Sequence, residues 1–313
     1  MSHQAESGPR LTIPTEERPR EGLGQIVWQR FRAHPGARAG AVIFLILVIA
    51  VLLAPLSPYD PEISDLQERF RPPSWSHPMG TDALGRDLLT RVLYGGRVSL
   101  TVGLLVVGIT LTLGVTVGAL AGYWGGLLDS VLMRITDAAL TLPSLLVLVL
   151  LGAILRDIDL PLLKQNSVLT IAVVIGALSW MTFARLVRAS ILTLRELDFV
   201  TAARSVGASS GRIVLRHILP NAIGPITVEA TLELGYAIIE ESGLSFLGFG
   251  IQPPTPSWGN LLSNAQENFL RYPWLAIFPG VMIFMAIISV NYIGDGLRDA
   301  FDPYKVLKQA GEL

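Results

Sequence analysis

The stretch Val98–Leu128, VSLTVGLLVVGITLTLGVTVGALAGYWGGLL, runs for 31 residues without a charge. A helix needs about 20 apolar residues to cross the hydrocarbon of a bilayer, so this run contains one crossing and its exit. Tyr123-Trp124-Gly125-Gly126 supplies the exit, with aromatics suited to the membrane interface and glycines suited to a turn. The fold is therefore built in a membrane, and the remaining sequence is read for further crossings.

Composition agrees. Of 313 residues, 16% are charged and 51% apolar, against about 25% charged in globular proteins; mean hydropathy is +0.52. The 24 basic and 25 acidic residues nearly cancel, which argues against a nucleic-acid binder, since that function needs a basic excess. Cysteine is absent, which excludes disulfides, thiolate zinc sites and cysteine nucleophiles. The four histidines, His3, His34, His77 and His217, are scattered, and no metal cluster or catalytic triad is visible.

Working outward, further uncharged runs cover Ala39–Tyr59, Ala138–Leu155, Gln165–Ala184 and Tyr272–Gly294. The third span extends backwards past Arg134 and Asp137, an i, i+3 pair suited to a local ion pair. A weaker span, Ile223–Phe249, is interrupted by glutamates. The expectation is an all-α integral membrane protein with six transmembrane helices. Its parts are a tail (1–38), a first helix (39–57), an outer loop (58–97), a five-helix core (98–294) and a second tail (295–313). The first apolar run follows a polar tail and lacks a small-residue cleavage pattern, so it reads as a retained helix rather than a signal peptide.

Lys and Arg near helix ends set orientation. With both termini cytoplasmic, segments 1–38, 123–133, 189–222 and 295–313 carry six, zero, four and three basic residues. The opposite side, 58–97, 156–167 and 251–273, carries five, two and one, and the five arginines of 58–97 are offset by six acidic residues. Both termini inside is the better orientation.

Between the spans, the tail to Arg20 reads as disordered, and Gly24–Arg32 as a short interfacial helix or a basic lead-in. In the outer loop, Thr81 or Asp82 is positioned to cap an amphipathic helix with Leu84, Leu88 and Val92 on one face, ending at Gly95-Gly96. In the 189–222 loop, Asp198 is positioned to cap a helix with Phe199, Ala202 or Ala203, and Val206 on its apolar face, stopped by Gly207. A second short amphipathic helix, Gly211–Leu219, carries Ile213 and Leu215 and ends at Pro220. Such helices suit either docking into a groove of another protein or packing on the membrane helices above them. Gln252-Pro-Pro-Thr-Pro256-Ser-Trp258 reads as a stiff turn or lid with Trp258 at the interface.

The loop pattern Thr201-Ala202-Ala203-x3-Gly207-x9-His217-Ile218-Leu219-Pro220 resembles the EAA motif, EAA-x3-G-x9-I-x-LP, of permease subunits in bacterial binding-protein-dependent ABC importers. Thr201 stands for the Glu and His217 for the Ile. Gly80-Thr-Asp-Ala-Leu-Gly-Arg-Asp87, Gly122-Tyr-Trp-Gly-Gly126, Arg134-Ile-Thr-Asp137, the run Gly243–Gly259 and Gly294-Asp-Gly-Leu-Arg-Asp299 are similar to the C-type permeases of the dipeptide, oligopeptide and nickel branch. The resemblance implies the type I permease fold in a bacterial inner membrane, a homologous second permease, two ATPase subunits and an external substrate-binding protein. It also implies that the 198–220 loop couples to an ATPase, through Asp198, Phe199, Thr201, Ala202, Ala203, Arg204, Gly207, Ala208, Arg212, His217 and Pro220.

The chain itself lacks a phosphate-binding loop, because none of its three lysines (Lys164, Lys305, Lys308) follows a glycine. No cofactor is expected in it; the resemblance implies that ATP and Mg are bound by the partner ATPase subunits. Glu229, Glu233, Glu240 and Glu241 interrupt the fifth span, and the first three fall within about 40° on a helical wheel. They read either as a polar translocation path or as partners of Arg185 or Arg188. Peptide import is the expected function. Nickel, glutathione or oligosaccharide import, or a secondary transporter using the glutamates as a proton relay, stays open.

Overall fold

The computed structural model describes residues 23–157 and 166–302. The tail to Arg20, the three lysines and most of 295–313 therefore lie largely outside the described residues. All regular elements among the described residues are helical, with one isolated bridge, Thr81–Asp87.

Helix α1 (Leu23–Ala33) ends in Arg30 and Arg32, which complement its C-terminal dipole. His34 breaks it from α2 (Pro35–Leu52): its Nδ1 accepts from the Ala37 amide at 3.0 Å, and Pro35 takes the first helical position. The first span thus starts four residues before the uncharged run, and its α-helix ends at Leu52 rather than 56–57, giving way to a 3-10 turn around Pro55.

The expected amphipathic helix at 84–92 is corrected. Residues 81–87 form a tight loop, and α3 runs unbroken from Leu88 to Trp124, capped by Asp87 instead of Thr81 or Asp82. Asp87 Oδ2 accepts from the amide and hydroxyl of Thr90, both at 2.7 Å, while Oδ1 lies 2.9 Å from His77 Nδ1. Asp82 binds Arg86 through two contacts, at 2.7 and 2.8 Å, and buried Arg91 donates to the Pro61 carbonyl. Gly95-Gly96 does not stop the helix. Its missing side chains admit the Trp258 ring and Val51.

At Gly125 and Gly126, both with positive φ, α3 turns into α4 (Gly126–Leu140). After Pro143 comes α5 (Ser144–Asp157), bent 91° from α4. The run expected as a third span is therefore two helices meeting at a break, since proline disfavours helical geometry in the residue before it. Next, α6 (Ser167–Leu194), capped by Asn166, extends ten residues past the uncharged run. It lies parallel to α3: Gly114 meets Phe183, Gly118 meets Ala184 and Val187, and Gly122 meets Ile191. Glycines one turn apart bring the two backbones close, which is how helices pack where lipid supplies no hydrophobic drive between them.

The loop helix α7 (Asp198–Ser205) is followed by α8 (Ser210–Ile213), a π turn over Val214–Ile218, a 3-10 turn around Pro220, and α9 (Ile223–Phe246). The expected separate helix 211–219 is thus the irregular lead-in to α9. An unforeseen short helix, α10 (Trp258–Ala265), opens on a capping box between Ser257 and Asn260. The final helix is α11 (Trp274–Phe301). Trp258 is not interfacial. It is fully buried, and its Nε1 donates to the Val92 carbonyl at 2.9 Å.

Five helical stretches (α2, α3, α6, α8–α9 and α11) are long and apolar enough to cross a membrane, and the bent α4–α5 pair passes the same test together. Three apolar clusters stack along the bundle. One, around Trp258 and Leu88, sits at the end closed by the 58–87 loop; the last, around Phe183, Val187 and Ile213, sits at the end bearing α7. Both described chain ends lie at the α7 end. Arg30 donates to the Asp302 carbonyl, His34 lies 3.7 Å from Asp299, and Gly224 packs on Phe301.

Candidate functional site

Helix α9 carries all four glutamates, and the helical period sorts them. Glu229, Glu233 and Glu240 line one cavity of about 460 Å3, within the range of small-molecule sites, about 300–1,000 Å3. The α4–α5 break (Leu140, Leu142, Ser144) and α6 (Ser179, Thr182) form its other walls. Glu233 is 8% exposed, its Oε1 has no hydrogen-bond partner, and the Ser179 and Thr110 hydroxyls lie beside it.

Glu241 faces elsewhere. It is wholly buried against α3, accepting from the Ser99 and Ser245 hydroxyls at 2.7 Å each, and it is not among the cavity's lining residues. Ser99 also accepts from the Trp258 amide at 3.3 Å, so Glu241 pins α3, α9 and the start of α10 together.

The arginines suggested as partners of the glutamates are engaged elsewhere. Arg188 grips Asp129 of α4 through two contacts, at 2.5 and 2.6 Å, and Arg185 lies 3.7 Å from Asp137. Asp137 thus pairs across to α6 rather than locally with Arg134.

At the far end of α6, the 195–222 loop is fixed to the bundle. Arg195 donates to the Gly122 carbonyl at 2.8 Å, and the Arg204 guanidinium lies 5.7 Å from the Tyr123 ring centre. Asp198 occupies the first turn of α7 without capping it; Leu197 holds the cap position, with no side-chain hydrogen bond. The C-terminus closes as a Schellman turn: Gly207, at φ +78°, donates to the Arg204 carbonyl, and Ala208 to that of Ala203.

The faces of α7 divide differently from the sequence reading. Val200 and Ala203 (6% exposed) enter the cluster of Phe183, Val187 and Ile213, while Phe199, Ala208 and His217 are half-buried. Thr201, Ala202, Arg204, Gly207, Arg212 and Pro220 are exposed, as is Val206 at 84%. The sequence groups Leu215 with Ile213 as the apolar residues of one short helix, but on the irregular turn the two part: Ile213 is buried and Leu215 is 68% exposed.

A bundle of long apolar helices with a cavity lined by three glutamates and an exposed, braced loop defines a membrane transport subunit. Residues 114–305 match the family model described as binding-protein-dependent transport system inner membrane component, and residues 22–73 match the N-terminal TM domain of oligopeptide transport permease C. The chain belongs to this family of inner membrane transport components. It is 41% identical over 283 residues to a di/tripeptide transport system permease protein of Pseudomonas aeruginosa, covering 88% of this chain and 90% of the relative. It is 42% identical over 279 residues to a dipeptide transport system permease protein of Alkalihalophilus pseudofirmus, covering 88% of each. A glutathione transport system permease protein of Pectobacterium atrosepticum is 39% identical over 278 residues, covering 88% and 89%.

Proposed function

We propose that this chain forms half of the translocation pathway of an ATP-driven importer of di- and oligopeptides. A homologous second permease forms the other half, two ATPase subunits supply energy, and an external binding protein delivers substrate. The chain is the non-catalytic element; ATP and Mg are held by the ATPases.

In this reading the chain crosses the membrane six times with both termini cytoplasmic. Two observations support it. The parallel course of α3 and α6 fits a bent α4–α5 segment that carries the chain back between them, and the described termini share one end with α7. The basic tail and the arginines of the 189–222 loop favour that end as cytoplasmic.

The reading is carried by α7, a helix closed at its C-terminus by a Schellman turn, whose outer face is exposed and whose inner face is packed on the bundle. Thr201, Ala202, Val206, Gly207 and Arg212 offer that outer face to an ATPase groove, with Asp198, Phe199, Arg204, Ala208, His217 and Pro220 at its margins. Ala203 serves from within, by holding the helix to α6. A self-contained secondary transporter has no use for such a surface. The deciding experiment is reconstitution of the assembled importer with its binding protein: ATP-dependent dipeptide uptake supports the function, and uptake without ATP or ATPase subunits overturns it.

A further inference from the structure

We infer that the cavity lined by Glu229, Glu233 and Glu240 is a cation-recognition site, through which the importer favours peptides with a positively charged side chain over those with a negatively charged one. The inference rests on the translocation reading above and adds to it a selectivity that resides in the permease itself.

Three observations carry it. First, three carboxyl groups on one face of α9 reach a single cavity, and no lysine, arginine or histidine is among its described lining residues. On α6, Arg188 is held by Asp129 and Arg185 lies 3.7 Å from Asp137, and neither is among the cavity's lining residues. Second, Glu233 is more than nine-tenths buried, and its Oε1 makes no hydrogen bond although the Ser179 and Thr110 hydroxyls lie beside the group. A buried carboxyl oxygen left without a donor is costly, and native structures keep such groups where a ligand or function answers them. Third, Glu233 lies within electrostatic range of both Glu229 and Glu240. Like charges in a low-dielectric wall repel, and a cation passing between them relieves that repulsion.

The same helix supplies a contrast. Glu241 is equally acidic but satisfied by Ser99 and Ser245, and it faces away from the cavity. The walls explain the rest of the specificity. Ser179, Thr182 and Tyr236 offer hydroxyls, and Leu142, Val147 and Leu178 offer apolar surface, so an ammonium or guanidinium group is bound at the carboxyls while the peptide backbone meets neutral wall.

The test uses the assembled importer in proteoliposomes, with its binding protein loaded to saturation so that capture does not limit the rate. Maximal ATP-dependent uptake of Ala-Lys, Ala-Ala and Ala-Glu is compared. Wild type is expected to move Ala-Lys faster than Ala-Glu by about fivefold, the effect of roughly one partly buried charge pair. Glu233→Gln and Glu240→Gln each pull that ratio toward one, whereas Glu241→Gln leaves it in place. Two cavity variants are used so that failure of one to assemble still leaves a decision. A wild-type ratio near one, or a ratio unmoved in both cavity variants, overturns the inference while leaving the importer reading intact. Absence of uptake of all three peptides by wild type overturns the importer reading and the inference with it.

Discussion

The Ser99 hydroxyl on α3 donates to Glu241 Oε2 on α9 at 2.7 Å, with both side chains buried and the Trp258 amide donating to the same hydroxyl. A carboxyl group so placed ties helices rather than contacting cargo. Replacing Glu241 with Ala leaves the Ser99 and Ser245 hydroxyls without an acceptor, at a cost of about 2–3 kcal/mol. Thermal unfolding in detergent is expected to show a lowered midpoint for Glu241→Ala and a smaller fall for Glu241→Gln, which still accepts one bond. An unchanged midpoint for Glu241→Ala contradicts the tie.

Ala202 and Ala203 are neighbours in sequence but face opposite ways on α7. Ala202→Asp and Val206→Glu are expected to abolish co-purification of the ATPase subunits while the permease keeps its wild-type melting behaviour. Ala203→Asp instead puts a charge into the cluster of Phe183 and Val187, and melting drops by the equivalent of about 3 kcal/mol or more. Pull-down and melting curves on the three variants separate the faces; retained ATPase binding in Ala202→Asp and Val206→Glu rejects the assignment.

At Gly118 a Cβ would lie 2.5 Å from the Ala184 carbonyl oxygen. Gly118→Val must therefore push α3 and α6 apart, with an expected loss of about 1–3 kcal/mol. Gly108, which has nothing within 4 Å of such a Cβ, tolerates the same change. Comparing folded yield and melting temperature of the two variants checks the contact.

The Asp129–Arg188 pair has two short contacts and partial burial, so it exceeds an ordinary surface bridge. A double-mutant cycle with Asp129→Ala and Arg188→Ala is expected to give a coupling energy of about 1–2 kcal/mol, read from chemical or thermal unfolding. A coupling within about 0.5 kcal/mol of zero shows that α4 is held to α6 by other means.

Glycine and proline explain much of the difference between what the sequence reveals and what the bundle shows. Uncharged length locates α3 and α11, because desolvating a helix depends on composition alone. Gly125-Gly126 reads correctly as a turn, yet Gly95-Gly96 does not. The same residue type can end a helix or admit a neighbour, and here the neighbour is Trp258, 162 positions from Gly96. Pro143 does mark the break in the run expected as a third span, but an apolar run hides it. Helix α10 is too short for a periodic signal, and its Trp258 suggests an interface until its burial is seen. Among the glutamates, periodicity groups 229, 233 and 240. The separate station of Glu241 follows from Ser99 on another helix, and no local pattern reports it.

The bracing of α7 to α3 and α6 has a mechanical consequence. Thr182 in the cavity wall and Leu194 at the loop lie on one unbroken helix, about 18 Å apart at 1.5 Å per residue. If α6 pivots near Leu194 by about 10°, its cavity wall shifts by about 3 Å, which is close to the width of a water molecule. A lever of that length needs no flexible relay: a small rocking of the loop against its support is enough to decide whether the cavity admits one more layer of solvent or cargo.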